Sequence, residues 1–97
     1  MIRGFQSKTA QDIYDGTKSR HARKVPTELH PKCQRLFDQL NAANRVETLK
    51  VPPSNRLEKL SGKLKSYWSI RVNKQWRVIF QWEEGEALNV DVLDYHS

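Results

Sequence analysis

Two arginines in the C-terminal third of the chain, Arg71 and Arg77, are the first residues whose type and spacing suggest chemistry. In the strand pairing that the alternation of apolar and polar residues predicts, they lie directly opposite each other on one face of a hairpin. Like charges across a strand pair are unfavourable unless an anion or a carboxylate lies between them. The pair therefore indicates a phosphate site. The alternative, which stays open, is two surface arginines whose guanidinium groups extend into water.

Three segments must position these arginines: residues 67–72, 75–82 and 88–93. Their alternation of apolar and polar residues predicts half-buried strands. The predicted apolar face contains all three tryptophans, and its members are Trp68, Ile70, Val72, Trp76, Val78, Phe80, Trp82, Leu88, Val90 and Val92. The opposite face is cationic, and its members are Tyr67, Ser69, Arg71, Arg77, Ile79, Gln81, Asn89, Asp91 and Tyr95.

The alternation of faces between odd- and even-numbered residues, their parity, predicts the length of the loop between the first two strands. A two-residue loop would place Val72 opposite Gln75 and mix polar with apolar residues on one face. A three-residue loop, residues 73–75, keeps one apolar face by pairing Val72 with Trp76, Ile70 with Val78 and Trp68 with Phe80. Asn73 suits this loop because Asn tolerates positive φ better than most residues. For the turn at residues 83–86, the same parity predicts Trp82 opposite Leu88.

Length and charge indicate one basic domain, residues 1–97. Such a chain buries roughly 60–68% of its unfolded surface, enough for one modest core. Seventeen Lys and Arg against eleven Asp and Glu give a net charge of +6 and a pI near 9.7. This excess favours a polyanionic partner, either nucleic acid or an acidic protein. A merely soluble basic domain remains the alternative.

Cysteine usage and hydropathy exclude several classes of protein. Cys33 is the only cysteine, so no internal disulfide forms and the chain fits a reducing cytoplasm. Cysteine-rich metal spacings are absent, and we expect no metal and no cofactor. The first residues lack the apolar region of a signal peptide, and no run approaches the roughly 18 apolar residues of a membrane span.

The N-terminal third of the chain is expected to hold a short edge strand and a short helix. Residues 1–5 are predicted to join an edge of the sheet. A helix is predicted over residues 10–14, with Ser7 or Thr9 as its N-cap and Gly16 just past its end.

A second, longer helix is indicated by apolar residues at three- and four-residue spacing. Its predicted buried stripe is Leu29, Cys33, Leu36, Phe37, Leu40 and Ala43. The helix is predicted to begin near Glu28 or later, because Pro31 is tolerated in the first turn, and to end near Asn44. Cys33 is then a small apolar filler on that stripe.

Two connecting segments have distinctive compositions. A basic segment, residues 18–24, holds Lys18, Arg20, Arg23 and Lys24 around a histidine. Either it is a solvated loop, or it contacts RNA phosphate or an acidic partner directly. Residues 52–55, Pro-Pro-Ser-Asn, predict an extended connector that is neither helix nor central strand.

The order strand, two helices, three strands predicts an α+β domain. In this architecture the helices pack on one face of a twisted antiparallel sheet, and the basic face remains uncovered.

Residues 55–96 resemble the HigB branch of the RelE/ParE toxin superfamily. The resemblance is carried by Asn55-Arg56-Leu57-Glu58 with Leu60 and Gly62, by residues 68–73 and 75–78, and by Asp94-Tyr95-His96. The start, Met1-Ile2-Arg3 with Phe5, also matches, so the resemblance covers nearly the whole chain. Each motif is weak alone, but their order and spacing together are specific.

The resemblance implies a βααβββ RelE-like fold and a toxin of a type II toxin–antitoxin system. Such a toxin enters the A site of the 70S ribosome and cuts mRNA there as a metal-independent endoribonuclease, or mRNA interferase. The implied partner is a HigA-like helix-turn-helix antitoxin, and operator DNA would be contacted only through that antitoxin. A cytoplasmic protein that does not contact a membrane is implied.

Carried over residue by residue, the resemblance nominates Arg77, Asp94, Tyr95 and His96 as catalytic. His96 suits general acid or base catalysis, because the unperturbed pKa of histidine is about 6.5. Arg77 and Arg71 would hold the scissile phosphate. Tyr95 would stack on a base or bond the phosphate. Asp94 has the parity of the apolar face, so we expect it to orient a neighbour or cap the strand end.

The loop before the three strands departs from some family members. They have a histidine and Leu-Lys-Gly where this chain has Glu58 and Leu-Ser-Gly at residues 60–62. Lys59 or Lys63 would supply the missing charge, and Glu58 would act as a base, so these three join Arg71 as expected substrate-binding residues. The departure leaves reduced or unusually targeted cleavage open.

The sequence is also consistent with two functions other than RNA cleavage. ParE-like relatives share the architecture but inhibit DNA gyrase without catalysing a reaction. An RNA- or ribosome-binding module that inhibits translation without turnover is also consistent with the altered loop.

Overall fold

The computed structural model describes residues 1–95 and shows the predicted α+β domain. Two α-helices, α1 (Lys8–Asp15) and α2 (His30–Ala42), precede four strands: β1 (Glu58–Lys59), β2 (Trp68–Arg71), β3 (Trp76–Glu83) and β4 (Glu86–Asp94). The strands form one antiparallel sheet in the order β1-β2-β3-β4. Both helices pack on one face of this sheet, where they share the buried core with apolar residues of β2, β3 and β4.

The predicted register of β2 with β3 is confirmed. Trp68 pairs with Phe80 and Ile70 with Val78, and Arg71 lies opposite Arg77. Asn73 acts differently from the expectation, since it is not among the residues with positive φ. Its Oδ1 instead accepts hydrogen bonds from the backbone N–H groups of residues 75 and 76, at 2.8 and 2.7 Å. The side chain therefore closes the loop as an Asx turn.

The predicted register of β3 with β4 is wrong by one residue at the turn. Trp82 pairs with Ala87, not with Leu88, because the turn has only two central residues, Glu84 and Gly85, with φ of 50° and 79°. Two positive φ values are typical of a type I′ turn. A β-bulge further along β4 then restores the predicted parity, because two residues of β4 lie opposite the single Phe80. As a result Ala87 enters the core, and Leu88 pairs with a polar residue.

The bulge occurs at Asn89, whose φ of 50° lies in the left-handed region. Asn adopts this conformation more readily than most residues. Its side chain amide donates to Gln81 Oε1 at 2.6 Å on the cationic face. The bulge explains how Val90 and Val92 remain buried although the turn is shorter than predicted.

The N-terminal segment joins the sheet edge as predicted, but only through two isolated bridges. Ile2 bridges to Ala87 and Phe5 to Val90, and both bridges are parallel. Ser7 then caps α1, its Oγ accepting from Ala10 N at 3.1 Å and donating to an Asp91 carboxylate oxygen at 2.6 Å. The start of α1 is therefore tied to β4.

Two predictions for the middle of the chain have different outcomes. Cys33 lies buried on the core side of α2, as predicted, and burial raises the pKa of its thiol to about 11, so the thiol stays neutral. The connector at residues 52–55 is not wholly extended: Pro53–Asn55 forms a 3₁₀ turn. Proline is compatible with the first turn of a helix, which the sequence-based prediction did not allow for.

Asp12 is a buried carboxylate that links α1 to the basic segment. Ser19 Oγ donates to its Oδ2 at 2.6 Å, and Lys8 Nζ lies 3.0 Å from its Oδ1. The Ser19 hydrogen bond, followed by Lys8, lowers the pKa of Asp12 below its ordinary value of 3.8. The carboxylate therefore stays ionised at neutral pH and holds the segment in place.

We expect Asp12→Asn to unfold more easily than the wild type at neutral pH. Because the folded-state pKa of Asp12 is lowered, its stabilisation is complete above about pH 4 and disappears as the pH falls through that lowered value. Urea unfolding at a series of pH values should therefore show a gap between the two proteins that closes on acidification. Asp38→Asn, at an exposed carboxylate of α2, is the control. An equal gap at every pH would contradict this role of the charge.

Candidate functional site

The guanidinium of Arg77 is the centre of the candidate site. It extends from β3, and its side chain is only 12% exposed. Its Nη1 donates to Ser69 Oγ at 2.9 Å and points towards the carbonyl oxygen of Arg56 at 3.5 Å. Its Nη2 lies 3.4 Å from Glu58 Oε1. Within residues 1–95, Glu58 is therefore the one carboxylate that compensates the positive charge of Arg77.

Tyr95 lies on another side of the same guanidinium. Its ring centroid is 4.9 Å from Arg77 Cζ, a cation–π contact. The backbone N–H of Tyr95 donates to Gln75 O at 2.7 Å, which holds the chain beside the β2–β3 loop. Tyr95 is 44% exposed, so part of its surface is accessible.

Asp94 belongs to β4 and pairs with Trp76, as its parity predicted. Its Oδ2 accepts a hydrogen bond from Gln75 Nε2 at 3.0 Å. Gln75 thus contacts both Asp94 and Tyr95, through its side chain and its backbone. The arrangement orients the end of β4 towards Arg77.

Glu58 reaches Arg77 because of β1, a strand that the sequence analysis did not predict. This two-residue strand places Glu58 opposite Ser69 on β2, and Ser69 in turn contacts Arg77. Glu58 is 47% exposed, whereas Ser69 is fully buried. The carboxylate can therefore meet a ligand while the serine cannot.

Asn55 anchors the segment that leads into β1. It is buried, and its Nδ2 lies 2.7 Å from Gln39 Oε1 and 3.0 Å from Leu49 O. Its Oδ1 is the one buried side-chain polar atom within residues 1–95 that lacks a partner. Arg56 follows with φ of 47°, a left-handed conformation that turns its carbonyl towards Arg77. The contacts of Asn55 in the core thus fix the position at which β1 begins with Glu58.

Arg71 lies opposite Arg77 in the register that the sequence predicted. The carboxylate that this like-charge pair requires is provided at Arg77 by Glu58. Within residues 1–95, Arg71 itself makes no ion pair and no side-chain hydrogen bond. It is half-buried, and it is the uncompensated cation of this face.

The two lysines expected to bind substrate, Lys59 and Lys63, do not contact Arg77. Lys59 follows Glu58 in β1, so its side chain lies on the opposite face, where its Nζ is 5.5 Å from the Trp68 ring centroid. That Nζ also donates to the carbonyl of Lys65 at 2.6 Å. Lys63 is exposed on the short 3₁₀ turn Gly62–Leu64. His96 lies outside the described residues.

The cationic face is less open than predicted. Ser69 and Ile79 are buried on it, with Ile79 only 5% exposed. β1 extends the sheet beside β2, and from it Glu58 reaches Arg77. Two hydrogen bonds also cross this face, from Asn89 to Gln81 at 2.6 Å and from Gln81 to Ser66 Oγ at 2.7 Å. Side chains therefore fill part of this face, and we call the surface formed around Arg77 by Glu58, Ser69, Arg71 and Tyr95 the Arg77 cleft.

Sequence reasoning gave no role to Ser69, Asn55 or the carbonyl of Arg56. For Ser69 a signal existed, since the alternation places a small hydroxyl residue on the arginine face. The roles of Asn55 and Arg56 depend on a turn whose backbone conformation has no clear sequence signal.

Two other kinds of feature are absent from the described residues, a metal-binding cluster and a membrane-spanning helix. Within residues 1–95, no group of three or more His, Cys, Asp or Glu is arranged to hold a metal ion. No helix in the same part of the chain has the length and apolar character needed to cross a membrane.

The two helices on one face of a four-stranded antiparallel sheet, with a basic and tyrosine-bearing cleft on the other, are consistent with a RelE-like protein. The chain belongs to the HigB family, the RelE-like toxins of type II toxin–antitoxin systems, whose family model matches residues 3–96. Membership of a toxin–antitoxin family implies an antitoxin partner.

Individual relatives support this placement. The chain is 45% identical over 93 residues to Toxin HigB-1 of Vibrio cholerae, covering 96% of this chain and 95% of that protein. It is 42% identical over 101 residues to Endoribonuclease HigB of Proteus vulgaris, covering 99% of this chain and all of that protein. An uncharacterised protein of Haemophilus influenzae is 40% identical over 74 residues, or 76% of this chain and 72% of that protein.

We expect Asn55→Ala to destabilise the fold by about 1–3 kcal/mol, because it removes the donor to the half-buried Gln39 Oε1 of α2 and to the buried carbonyl oxygen of Leu49. Asn55→Asp should be at least as damaging, since it turns a carboxylate towards those same oxygens. Urea unfolding measures both effects. Ser54→Ala, at the exposed neighbouring position, is the control and should unfold like the wild type. Unchanged stability in both Asn55 variants would show that this residue does not anchor the turn.

Proposed function

We propose that this toxin is an endoribonuclease that cleaves mRNA on the ribosome without a metal ion. The observation that carries the proposal is the contact between the Glu58 carboxylate and the Arg77 guanidinium, 3.4 Å apart in a cleft that also holds Tyr95. A carboxylate beside a buried arginine combines a proton acceptor with a phosphate-binding group. The relative named Endoribonuclease HigB supports the same chemistry.

Cleavage of RNA by its own 2′-hydroxyl needs three groups. A base removes the 2′-OH proton, a cation stabilises the pentavalent phosphorus, and an acid protonates the leaving 5′-oxygen. Glu58 is the proposed base, and its partly exposed carboxylate can accept the proton. Arg77 is the proposed cation, and His96 is the proposed acid. The 2′-oxygen forms a bond to phosphorus as the bond from phosphorus to the 5′-oxygen breaks, which yields a cyclic phosphate.

Arg77 has a second role in this scheme. Its contact with Ser69 fixes the guanidinium before substrate arrives, so little reorganisation is needed when charge develops on the phosphate. Glu58 competes with that phosphate for the same guanidinium until the RNA is in place. Substrate binding therefore has to shift Glu58 from Arg77 towards the 2′-OH.

The remaining residues of the cleft are assigned to RNA binding. Arg71 is uncompensated within the described part of the chain and lies opposite Arg77, so it suits a neighbouring phosphate. The exposed part of Tyr95 provides a surface on which a base stacks. Lys63 lies outside the cleft, and we propose that its exposed charge on the turn Gly62–Leu64 contacts RNA beyond it. Lys59 is not part of the proposed site, because it lies on the other face of the sheet.

The proposed setting is the A site of a translating ribosome in the cytoplasm. A net charge of +6 favours association with ribosomal RNA and mRNA. The proposed antitoxin is a helix-turn-helix protein, and the toxin would reach operator DNA only through it.

One observation favours binding without turnover as a second candidate. Arg77 is only 12% exposed and already contacts Glu58, Ser69 and Tyr95. If RNA does not displace Glu58, the toxin would block the ribosome without cutting. Mapping mRNA ends by primer extension during translation separates the two, because only cleavage creates new ends. A gyrase supercoiling assay run in parallel tests the remaining ParE-like alternative.

We expect Glu58→Gln to reduce the rate of mRNA cleavage by at least about 10²-fold, the range lost with a general base. Ribosome binding should be kept or strengthened, because the amide no longer neutralises Arg77. Glu47→Gln is the matched control, since it also removes a carboxylate from an arginine ion pair, that with Arg45. Primer extension in a translation extract provides the rates. Undiminished cleavage by Glu58→Gln would exclude Glu58 as the base.

We expect Arg77→Ala and His96→Gln each to abolish growth arrest on induction. Arg77→Ala removes the phosphate-stabilising charge, and His96→Gln removes the proton donor. Circular dichroism should show that both variants fold, and Arg45→Ala, at a surface ion pair, serves as the control. Retained cleavage of translated mRNA in both variants would refute these roles.

A further inference from the structure

A groove in the helical layer lies apart from the Arg77 cleft. It has a volume of about 460 Å³ and lies between the end of α1, the basic segment and the first turn of α2. Ile13 and Ala22 are buried beneath it, and Lys18 and Arg23 are exposed along it. All of its lining residues fall between positions 12 and 34, so it shares no side chain with the Arg77 cleft.

Hydrogen bonds hold the groove in one shape. Ser19 Oγ bonds to the Asp12 carboxylate at 2.6 Å and accepts from Ala22 N at 3.1 Å. His30 Nε2 lies 2.9 Å from the carbonyl oxygen of Ala22, and Gln34 Nε2 donates to a carbonyl of α1 at 3.0 Å. The basic segment is therefore tied to both helices and is not a loose solvated loop. A preformed groove loses little conformational entropy when a partner binds.

The charge around the groove is positive and uncompensated. Residues 15–28 hold four Lys and Arg against two carboxylates, those of Asp15 and Glu28. All four cations are exposed, and none takes part in an ion pair within residues 1–95. Asp12, which lines the groove, is already paired with Lys8. A partner that supplies carboxylates would therefore meet unpaired cations.

The lining favours a peptide over RNA. Proteins that bind single-stranded RNA stack bases on aromatic rings, and none of the residues that line the groove is a Phe, Tyr or Trp. The one imidazole there, His30, is directed at backbone carbonyls. Ile13, Ala22 and Pro31 instead present aliphatic surface. The volume lies within the roughly 300–1,000 Å³ of typical ligand pockets, large enough for apolar side chains of a peptide.

We infer that this groove docks an acidic segment of the antitoxin, with an apolar side chain inserted between α1 and α2 and carboxylates paired with Lys18 and Arg23. The inference rests on the proposed toxin–antitoxin function. It gives the basic segment a role in binding the antitoxin, separate from the proposed binding of RNA at the Arg77 cleft.

The test measures two properties of each variant: the affinity for the cognate antitoxin, by calorimetry, and mRNA cleavage by the free toxin in a translation extract. Lys18→Glu with Arg23→Glu should weaken antitoxin binding about tenfold or more and should cleave mRNA at the same rate as a control variant of equal net charge. Thr17→Trp should weaken binding as well, because it fills the groove from an exposed position without changing charge. Arg35→Glu with Lys50→Glu makes the same charge change at exposed positions outside the groove and should bind normally.

Two outcomes would overturn the inference. Unchanged antitoxin affinity in both groove variants would show that the groove is not the docking site. Reduced cleavage with unchanged antitoxin affinity would show that the basic segment contacts RNA. Thermal unfolding verifies folding, and if the charge-reversed variant does not fold, Thr17→Trp decides. A wild-type toxin that fails to cleave mRNA would contradict the proposed function, while the binding comparison would still decide the docking site.

Discussion

Burial of one guanidinium constrains most of the cationic face. An arginine whose side chain is only 12% exposed loses much of its hydration, and this cost must be offset by a carboxylate and by hydrogen-bond acceptors. Arg77 obtains these from Glu58, Ser69 and the carbonyl of Arg56, and its flat surface is covered by Tyr95. Each partner comes from a different segment of the chain. The guanidinium therefore joins β1, β2 and the end of β4 at one point.

The same constraint explains why so short a strand as β1 forms. Two residues make few backbone hydrogen bonds and carry little strand propensity of their own. The strand is placed by Asn55, which is fixed in the core on one side, and by the contact of Glu58 with Arg77 on the other. The position of β1 is thus set by the side chains of Asn55 and Glu58, and the backbone pairing of β1 with β2 follows from that position.

The sequence was sufficient to predict how strands pair where one face of a strand had to be buried. A shift of one residue would have exposed Ile70 and Val78 together, so parity alone gave the register of β2 with β3 and the opposition of Arg71 and Arg77. Parity predicted the wrong pairing at the turn between β3 and β4, because the loop there is shorter than predicted and a bulge at Asn89 compensates for the difference. Beyond the bulge, the pairing of β3 with β4 agrees again with the predicted parity. It also gave no indication of β1, which has no apolar face to bury. The resemblance to a family identified Glu58 as unusual, but only the structure shows which cation it meets.

The distribution of charge bears on how the toxin meets its partners. A net charge of +6 suggested a polyanion, yet the most buried arginine of the cleft is already matched by Glu58. Within residues 1–95, the cations without an ion pair include Arg71 on one side of the sheet and those of the basic segment on the other. Electrostatic attraction to a polyanion is a property of the whole surface and decays over about 10 Å at moderate salt. In the proposed mechanism, RNA binding at Arg77 instead requires displacement of the Glu58 carboxylate, so attraction and recognition would be governed by different residues and could be changed independently.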